Sequence, residues 1–407
     1  MTTLRQRLAR ATLAVALGFT VAPADAGTLI SDTLPAGDHS GSRDRDYQVY
    51  VPEQLPDPAA MVMALHGCGQ SDDNVMDQWG LKAAADRFGF VLVAPFITSY
   101  DGLRNENCWG FWFDRHRQEG RGEPEDLHRL ARHIESQYAI DPKRRYITGL
   151  SSGGAMAVVA ATTHNEYWAA AASAAGLPYG ESAASVSFYC PGFASFHSVG
   201  RVAEDMRAEL DNDYPIPLMV LQNNNDCTVI QPAGHNLRDA HLRVFGSDGR
   251  DTAESARKSE TSCTPYYREA FDCVHTRYGD SGERSTVETV FFDGPIDTAN
   301  TADTDHGHYW VGGADGQEGP WAVRTGPSYP DLIWDFFQRH PRTAAPPVEP
   351  QCTDWYATNT AHHAAGRAYY GIGYFTVGGD DALGFASLTE GWVHETTTGV
   401  FEAGRCP

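Results

Sequence analysis

The chain has 407 residues, 42% of them apolar and 11% aromatic, and a formal net charge of −22. That length suits one large domain with a small one attached. The acidity excludes nucleic acid and anionic membrane surfaces as partners, and the apolar content excludes extended disorder.

Residues 1–26 read as an export signal. Arg5, Arg7 and Arg10 precede a short apolar run, ATLAVALGFTV, and ADA before Gly27 offers cleavage after Ala26. The run is too short to span a bilayer. Removal rather than membrane anchoring is expected, giving a protein secreted to the medium or the periplasm. The segment carries three Arg and one Asp, so its loss would leave a net charge of −24. All eight cysteines lie beyond it, at 68, 108, 190, 227, 263, 273, 352 and 406. An even number in an exported chain reads as disulfides, and pairing neighbours in order gives 68–108, 190–227, 263–273 and 352–406. No C-x-x-C pair occurs, and no metal site is expected.

Residues 27–340 alternate strand-like and helix-like runs. RDYQVYVPE has the period-two pattern of a strand, and AAMVMALHG is an apolar run suited to a strand buried on both faces. WGLKAAADRFG reads as a helix stopped by glycine, FVLVAPF as a strand and PEDLHRLARHIESQY as a helix. RRYITGL, YWAAAASAAG, IPLMVLQNN and STVETVFFDG supply further strands, and GAMAVVAATT and YPDLIWDFFQRH further helices. This alternation implies an α/β fold with a mostly parallel sheet and helices on both faces. RHPRTAAPPVEPQ then breaks regular structure, giving a linker at 341–350. Residues 351–407 are rich in Tyr, Trp, Gly and Thr, and form a small β-rich module in which a Cys352–Cys406 bridge would offset a thin core.

The strand RRYITG, the turn LSSGG and the helix AMAVVAATT place G-x-S-x-G at a strand-to-helix elbow. Only Ser151 has glycine at both −2 and +2, which makes it the candidate nucleophile. The amide of Ser152, at the helix N-terminus, is then one oxyanion donor. A nucleophile of this kind needs an acid and then a histidine downstream. Asp226 lies just past the strand IPLMVLQ, where ligand-facing groups project in parallel sheets; Asp211, Asp213 and Asp239 lack that position. The loop DTDHGHYWVGG offers two bases, His306 and His308, which position alone does not separate. In ALHGCGQ, the amide of Cys68 or Gly69 supplies the second oxyanion donor, and His66 reads as a structural hydrogen-bonder. The segment ENCWGFWFD could wall a substrate cleft. Trp109 and Trp112 there, with Trp310 from GHYWVGG, are the candidate substrate-binding residues. The remaining histidines, His128 and His164 among them, read as surface or packing residues.

Taken together, LHGCGQ, CWGFWFD, DPKRRYITGLSSGGAM, AAGLPYG, NDCTV and GHYWVGG resemble the secreted poly(3-hydroxyalkanoate) depolymerases and their esterase relatives. The resemblance implies an α/β-hydrolase fold, no cofactor, Ser151 as nucleophile, Asp226 as acid and Cys68 as oxyanion donor. It selects His308, in G-H-x-W-x-G-G, over His306. CTDWYATNTAHHAAGRAYY resembles the short polymer-binding modules attached to such enzymes, which implies an insoluble polyester surface as partner. The expected function is serine-esterase cleavage of a short-side-chain polyhydroxyalkanoate such as poly(3-hydroxybutyrate). The alternatives are feruloyl or acetyl groups on xylan, or another polymer such as poly(aspartic acid), whose charge the acidic chain disfavours.

Overall fold

The computed structural model describes residues 27–98, 107–187, 189–246, 252–263, 266–267, 271–279, 284–297, 306–343, 353–397 and 400–405. The export signal at 1–26 and both Cys352 and Cys406 lie outside them.

The first strands are β1 (Thr28–Leu34), β2 (Arg45–Val51) and β3 (Ala59–Leu65), followed by helices α1 (Asp72–Gln78) and α2 (Leu81–Phe88). α2 stops where Gly89 adopts a left-handed conformation and its N–H donates to Ala85 O, as the glycine stop predicts. Next come β4 (Phe90–Pro95), α3 (Gly122–Gln137), β5 (Ile140–Leu150), α4 (Ser152–Thr163), β6 (Ala170–Ala174), α5 (Val199–Arg207), β7 (Leu218–Asn223), α6 (Gln231–Phe245) and α7 (Ala253–Ala256). The chain continues through β8 (Arg257–Ser262), β9 (Tyr266–Tyr267), β10 (Cys273–Tyr278), β11 (Val287–Phe292), β12 (Trp310–Val311), β13 (Ala322–Val323), β14 (Gly326–Pro327) and α8 (Tyr329–Arg339).

One ten-stranded sheet, ordered β1-β2-β4-β3-β5-β6-β7-β11-β10-β8, organises this body. The six strands from β4 to β11 run parallel, and the flanking pairs are antiparallel. The sheet is therefore parallel where it is covered and antiparallel at its edges, where β1 and β8 are almost wholly exposed. Tyr146 on β5 pairs with Ala170 and stacks on Phe337 of α8 at 4.5 Å. Ser173, three residues along β6 and so on the other face, donates to Gly154 O of α4 at 2.9 Å. The two helices thus cover opposite faces. All twelve residues of α4 are buried.

After α8, Arg342 lies within the stretch read as linker, yet it is buried. Its guanidinium donates to Asn165 O and Trp168 O and covers the Tyr214 ring at 3.8 Å. The C-terminal segment holds β15 (Thr353–Thr358), α9 (Asn359–Ala364), β16 (Ala368–Tyr370), β17 (Tyr374–Thr376), β18 (Ala382–Gly384), β19 (Glu390–Thr397) and β20 (Val400–Ala403). These strands form two three-stranded sheets, β15-β19-β20 and β16-β17-β18.

A buried ionic cluster ties the antiparallel edge to α8. Glu288 on β11 is fully buried and accepts from His275 (2.7 Å), Ser285 Oγ (2.5 Å) and both terminal nitrogens of Arg339 (2.6 and 2.9 Å). Burial alone would raise its pKa, but these donors hold the carboxyl well below the ordinary range. A pKa depressed by folding contributes stability above the unfolded value, about 4.3, and loses it as pH falls. We expect the unfolding free energy from urea titration to drop between pH 6 and pH 3, and to drop less in Glu288→Gln. Arg339→Met leaves the carboxylate buried without its main partner and should cost about 3–5 kcal/mol at pH 7.

Candidate active site

β5 ends at Leu150 and α4 begins at Ser152, so one residue makes the turn. Ser151 makes it at φ 58°, ψ −121°, a conformation that costs a non-glycine residue about 1–3 kcal/mol. Its backbone is held on both sides: Ser151 N–H donates to Ala174 O, and Ser151 O accepts from Ala155 N–H, both at 2.9 Å. The flanking glycines are sterically required. A Cβ on Gly149 would lie 2.5 Å from the Gly153 carbonyl, and one on Gly153 would lie 2.2 Å from Leu65 O. This packing brings α4 against β3 and projects Ser151 from the carboxyl edge of the sheet.

The other groups emerge from the same edge. Asp226 follows β7, and its buried Oδ1 accepts from Thr228 N–H (2.8 Å) and Val229 N–H (2.9 Å). Its Oδ2 lies 2.7 Å from His308 Nδ1. Burial pushes the Asp226 carboxyl up, with the His308 ring and the two backbone donors opposing. With Nδ1 engaged, His308 has Nε2 for the cavity that it and Ser151 both line. His306 also lines that cavity, and its carbonyl accepts from Cys227 N–H at 2.9 Å. Asp226 is therefore paired with His308.

Asn223, at the end of β7, holds these two loops in register. Its Nδ2 donates to Gly307 O (2.9 Å) and Tyr309 Oη (3.2 Å), and its Oδ1 accepts from Gly294 N–H (2.9 Å) and Asn225 N–H (3.1 Å). Asn223 is not among the residues expected at the site from sequence. Its signal was the unbroken polar run QNNND directly after an apolar strand.

Ser152 N–H heads α4, where first-turn donors have no intrahelical acceptor. Cys68 lies in the turn Gly67–Gln70, closed by Gln70 N–H to Gly67 O and braced by Gln70 Oε1 accepting from Gly67 N–H at 2.9 Å. A Cβ on Gly67 would be 3.4 Å from Ser151 Cβ, so this turn abuts the elbow. Cys68 and Ser152 line the same cavity as Ser151. His66 is buried, with Nδ1 at 2.8 Å from Gly67 O and Nε2 accepting from Ile97 N–H at 3.3 Å. Burial pushes it down to about 4, so it is neutral at pH 7 and both nitrogens are in use.

The cavity has a volume of about 610 Å³. Phe111, Trp112, Phe113, Leu177, Val186 and Trp321 give it apolar walls, and among the described residues lining it there is no Lys, Arg, Asp or Glu. Two disulfides join those walls to the turns beside Ser151 and Asp226. Cys68–Cys108 ties the Gly67 turn to the aromatic segment, and Cys190–Cys227 ties the segment around Val186 to the Asp226 loop. Cys263–Cys273 closes the edge of the sheet.

Of the three tryptophans expected on the substrate wall, only Trp112 is there. Trp109 is fully buried, its indole N–H donating to His66 O at 3.1 Å. Trp310 is also fully buried, stacked on Trp79 at 4.0 Å with its N–H donating to Trp79 O. Both are core residues because each buried indole N–H finds a backbone carbonyl there. The place expected for them goes to Trp321, which turns at φ 55° and covers Gly69, where a Cβ would come within 2.9 Å of its ring.

The sheet order, the elbow and the serine, histidine and aspartate at one edge define the α/β-hydrolase class. Residues 46–263, more than half of the chain, match the family model described as Esterase PHB depolymerase. The chain belongs to that family. It is 30% identical to feruloyl esterase B of Neurospora crassa over 169 residues, 41% of this chain and 56% of that protein. It is 33% identical to poly(3-hydroxyalkanoate) depolymerase C of Paucimonas lemoignei over 130 residues, 32% of this chain and 31% of that one. The chain thus spans from just under a third to just over half of these curated relatives. The solved acetyl xylan esterase from Aspergillus awamori superposes with a TM-score of 0.54 at 19% identity, over 77% of this chain and all of that one, which supports the fold.

Gly153→Ala tests the steric account of the elbow. We expect it to lower the unfolding free energy by about 1–3 kcal/mol and to slow labelling of Ser151 by a fluorophosphonate probe, whereas Gly391→Ala, where no atom lies within 4 Å of the added methyl, leaves labelling unchanged.

Proposed function

We propose that the protein is a secreted serine esterase that hydrolyses a short-side-chain polyhydroxyalkanoate such as poly(3-hydroxybutyrate). The observation that carries this reading is that Ser151, Cys68, Ser152 and His308, the last bonded to Asp226, line one aromatic-walled cavity with no Lys, Arg, Asp or Glu among its described lining residues. Ser151 Oγ attacks the ester carbonyl while His308 Nε2 takes its proton. The Cys68 and Ser152 N–H groups stabilise the oxyanion, and the helix dipole of α4 adds to them. The tetrahedral intermediate expels the alcohol, which takes the proton from His308, and leaves an acyl-Ser151 ester. Water, deprotonated by His308, then releases the acid by the same route. Asp226 holds the imidazole tautomer throughout and stabilises its charged form.

A neutral aliphatic polyester suits this cavity because binding it strands no charge on an apolar wall. Tyr189 and Phe193 are 78% and 84% exposed on the segment tied to Cys227, and Ile372, Phe385 and Leu388 are similarly exposed in the C-terminal segment. Such side chains support adsorption to an insoluble polymer. On this reading residues 27–340 are the catalytic domain, 341–350 the linker and 351–407 the substrate-binding module. The signal-like residues 1–26 and the disulfides support export. Among the described residues, no helix is long and apolar enough to cross a membrane.

A second reading, cleavage of feruloyl or acetyl groups from xylan, is favoured by the similarity to feruloyl esterase B, since an aromatic wall also suits a feruloyl ring. Polyester film, feruloylated xylan and a soluble p-nitrophenyl ester presented side by side discriminate the two. We expect hydroxyacid oligomers from film, falling by about 10⁶-fold in Ser151→Ala and about 10⁴-fold in Asp226→Asn. Release of ferulate with no release from film would favour the second reading, and unchanged turnover in Ser151→Ala would refute both.

A further inference from the structure

Beyond the active site, the C-terminal end of α4 carries a second cluster of chemistry-bearing side chains. Glu125 and His128 lie one turn apart on α3, and His164 caps the C-terminus of α4. One ligand atom from each of the three lies within 4.8 Å of the others. His164 is buried, and its Nδ1 lies 3.2 Å from Glu166 Oε1. Its Nε2 forms no hydrogen bond, although Glu125 Oε2 stands 3.2 Å away. That oxygen accepts instead from Gly120 N–H at 3.2 Å. The His128 ring lies beside that of His164, centroids 4.2 Å apart, and its other side meets the Tyr167 ring at 4.6 Å.

We propose that Glu125, His128 and His164 bind a divalent transition cation, with zinc the best fit, and that Glu166 orients His164 for it. Ligand atoms about 2.0–2.1 Å from a tetrahedral zinc stand roughly 3.3–3.4 Å apart. The Glu125–His164 pair, at 3.2 Å, already has that spacing. The remaining ligand-atom distances are at most 4.8 Å, so closing them asks for no more than about 1–1.5 Å of side-chain movement. A carboxylate holding the far nitrogen of a ligating imidazole is the usual outer-shell arrangement, and Glu166 supplies it. Two imidazoles and a carboxylate suit zinc over calcium or magnesium, which prefer oxygen-only sets.

The surrounding charge points the same way. Glu119 and Asp211 adjoin Glu166, so four carboxylates share the region with two imidazoles. Twelve residues of α4, about 18 Å of helix, separate this site from Ser151. Its role is therefore to clamp α3 to α4 and not to touch substrate. This departs from the sequence expectation, which gave both histidines packing or surface roles and expected no metal.

Isothermal titration of zinc into the chelator-treated, dialysed full-length enzyme tests the proposal, with calcium as control. We expect one zinc per chain in wild type, weakened about tenfold or more in His128→Gln and Glu125→Gln, and about 10–100-fold in Glu166→Gln. Zinc should raise the wild-type melting temperature and leave that of His128→Gln unmoved. Turnover of a soluble p-nitrophenyl ester reports that each variant is folded. Absence of stoichiometric zinc binding by wild type, equal binding by folded His128→Gln and Glu125→Gln, or a calcium response matching that of zinc would each overturn it.

Discussion

The backbone at Ser151 is the constraint on which the rest of this molecule depends. A side chain held at φ 58° survives only if the surrounding structure supplies what the conformation costs. Here it comes from the burial of α4, whose twelve residues all face protein. That burial is possible only with Gly149 and Gly153 at the crossing, because any Cβ there would overlap the carbonyls of Leu65 or Gly153. The small-residue strand β6 follows from the same demand. Ala170–Ala174 presents almost no bulk, so helix and sheet approach closely, and Ser173 can reach Gly154 O. The strained turn at Ser151, the buried helix behind it and a thin strand are three results of one packing decision.

The loops around the elbow are built differently. None of them belongs to a continuous ladder, so their geometry is fixed by single strong ties. Asn223 uses both ends of its amide to join the loop of Asp226 to the loop of His308. Gly307, at φ 77°, lets the second loop come within reach, since a Cβ there would lie 2.7 Å from Asn225 O. Cys227 contributes twice, through its N–H to His306 O and through its bridge to Cys190.

How much was legible in the sequence depended on whether a feature was local. The strand-to-helix elbow was legible because its glycines and serine are adjacent, and ±2 spacing alone separated Ser151 from Ser152. The central strands were legible because burial on both faces leaves unbroken apolar runs such as AAMVMAL and FVLVAP. β1 was not, since TLISDTL carries an exposed, mixed pattern at a sheet edge and is a strand only by pairing with β2. The tryptophans failed for a different reason. Composition marks a cluster as aromatic but not which way each indole points, and that is decided by carbonyls distant in the chain: His66 for Trp109 and Trp79 for Trp310. Loop position alone left His306 and His308 unseparated; the resemblance to G-H-x-W-x-G-G selected His308, and the contact with Asp226, 82 positions away, agrees. The Glu125–His164 grouping escaped because its halves lie on two helices that meet only in the fold.

The two bridges beside the cavity have a consequence for how such a chain can change over generations. Cys68–Cys108 and Cys190–Cys227 fix the ends of the wall segments by covalent bonds that do not depend on what lies between them. Trp112, Val186 and their neighbours can therefore be exchanged without disturbing the elbow or the histidine–aspartate pair. On the proposed reading, divergence of substrate preference is thus uncoupled from preservation of chemistry, and a lineage can explore new esters one wall residue at a time.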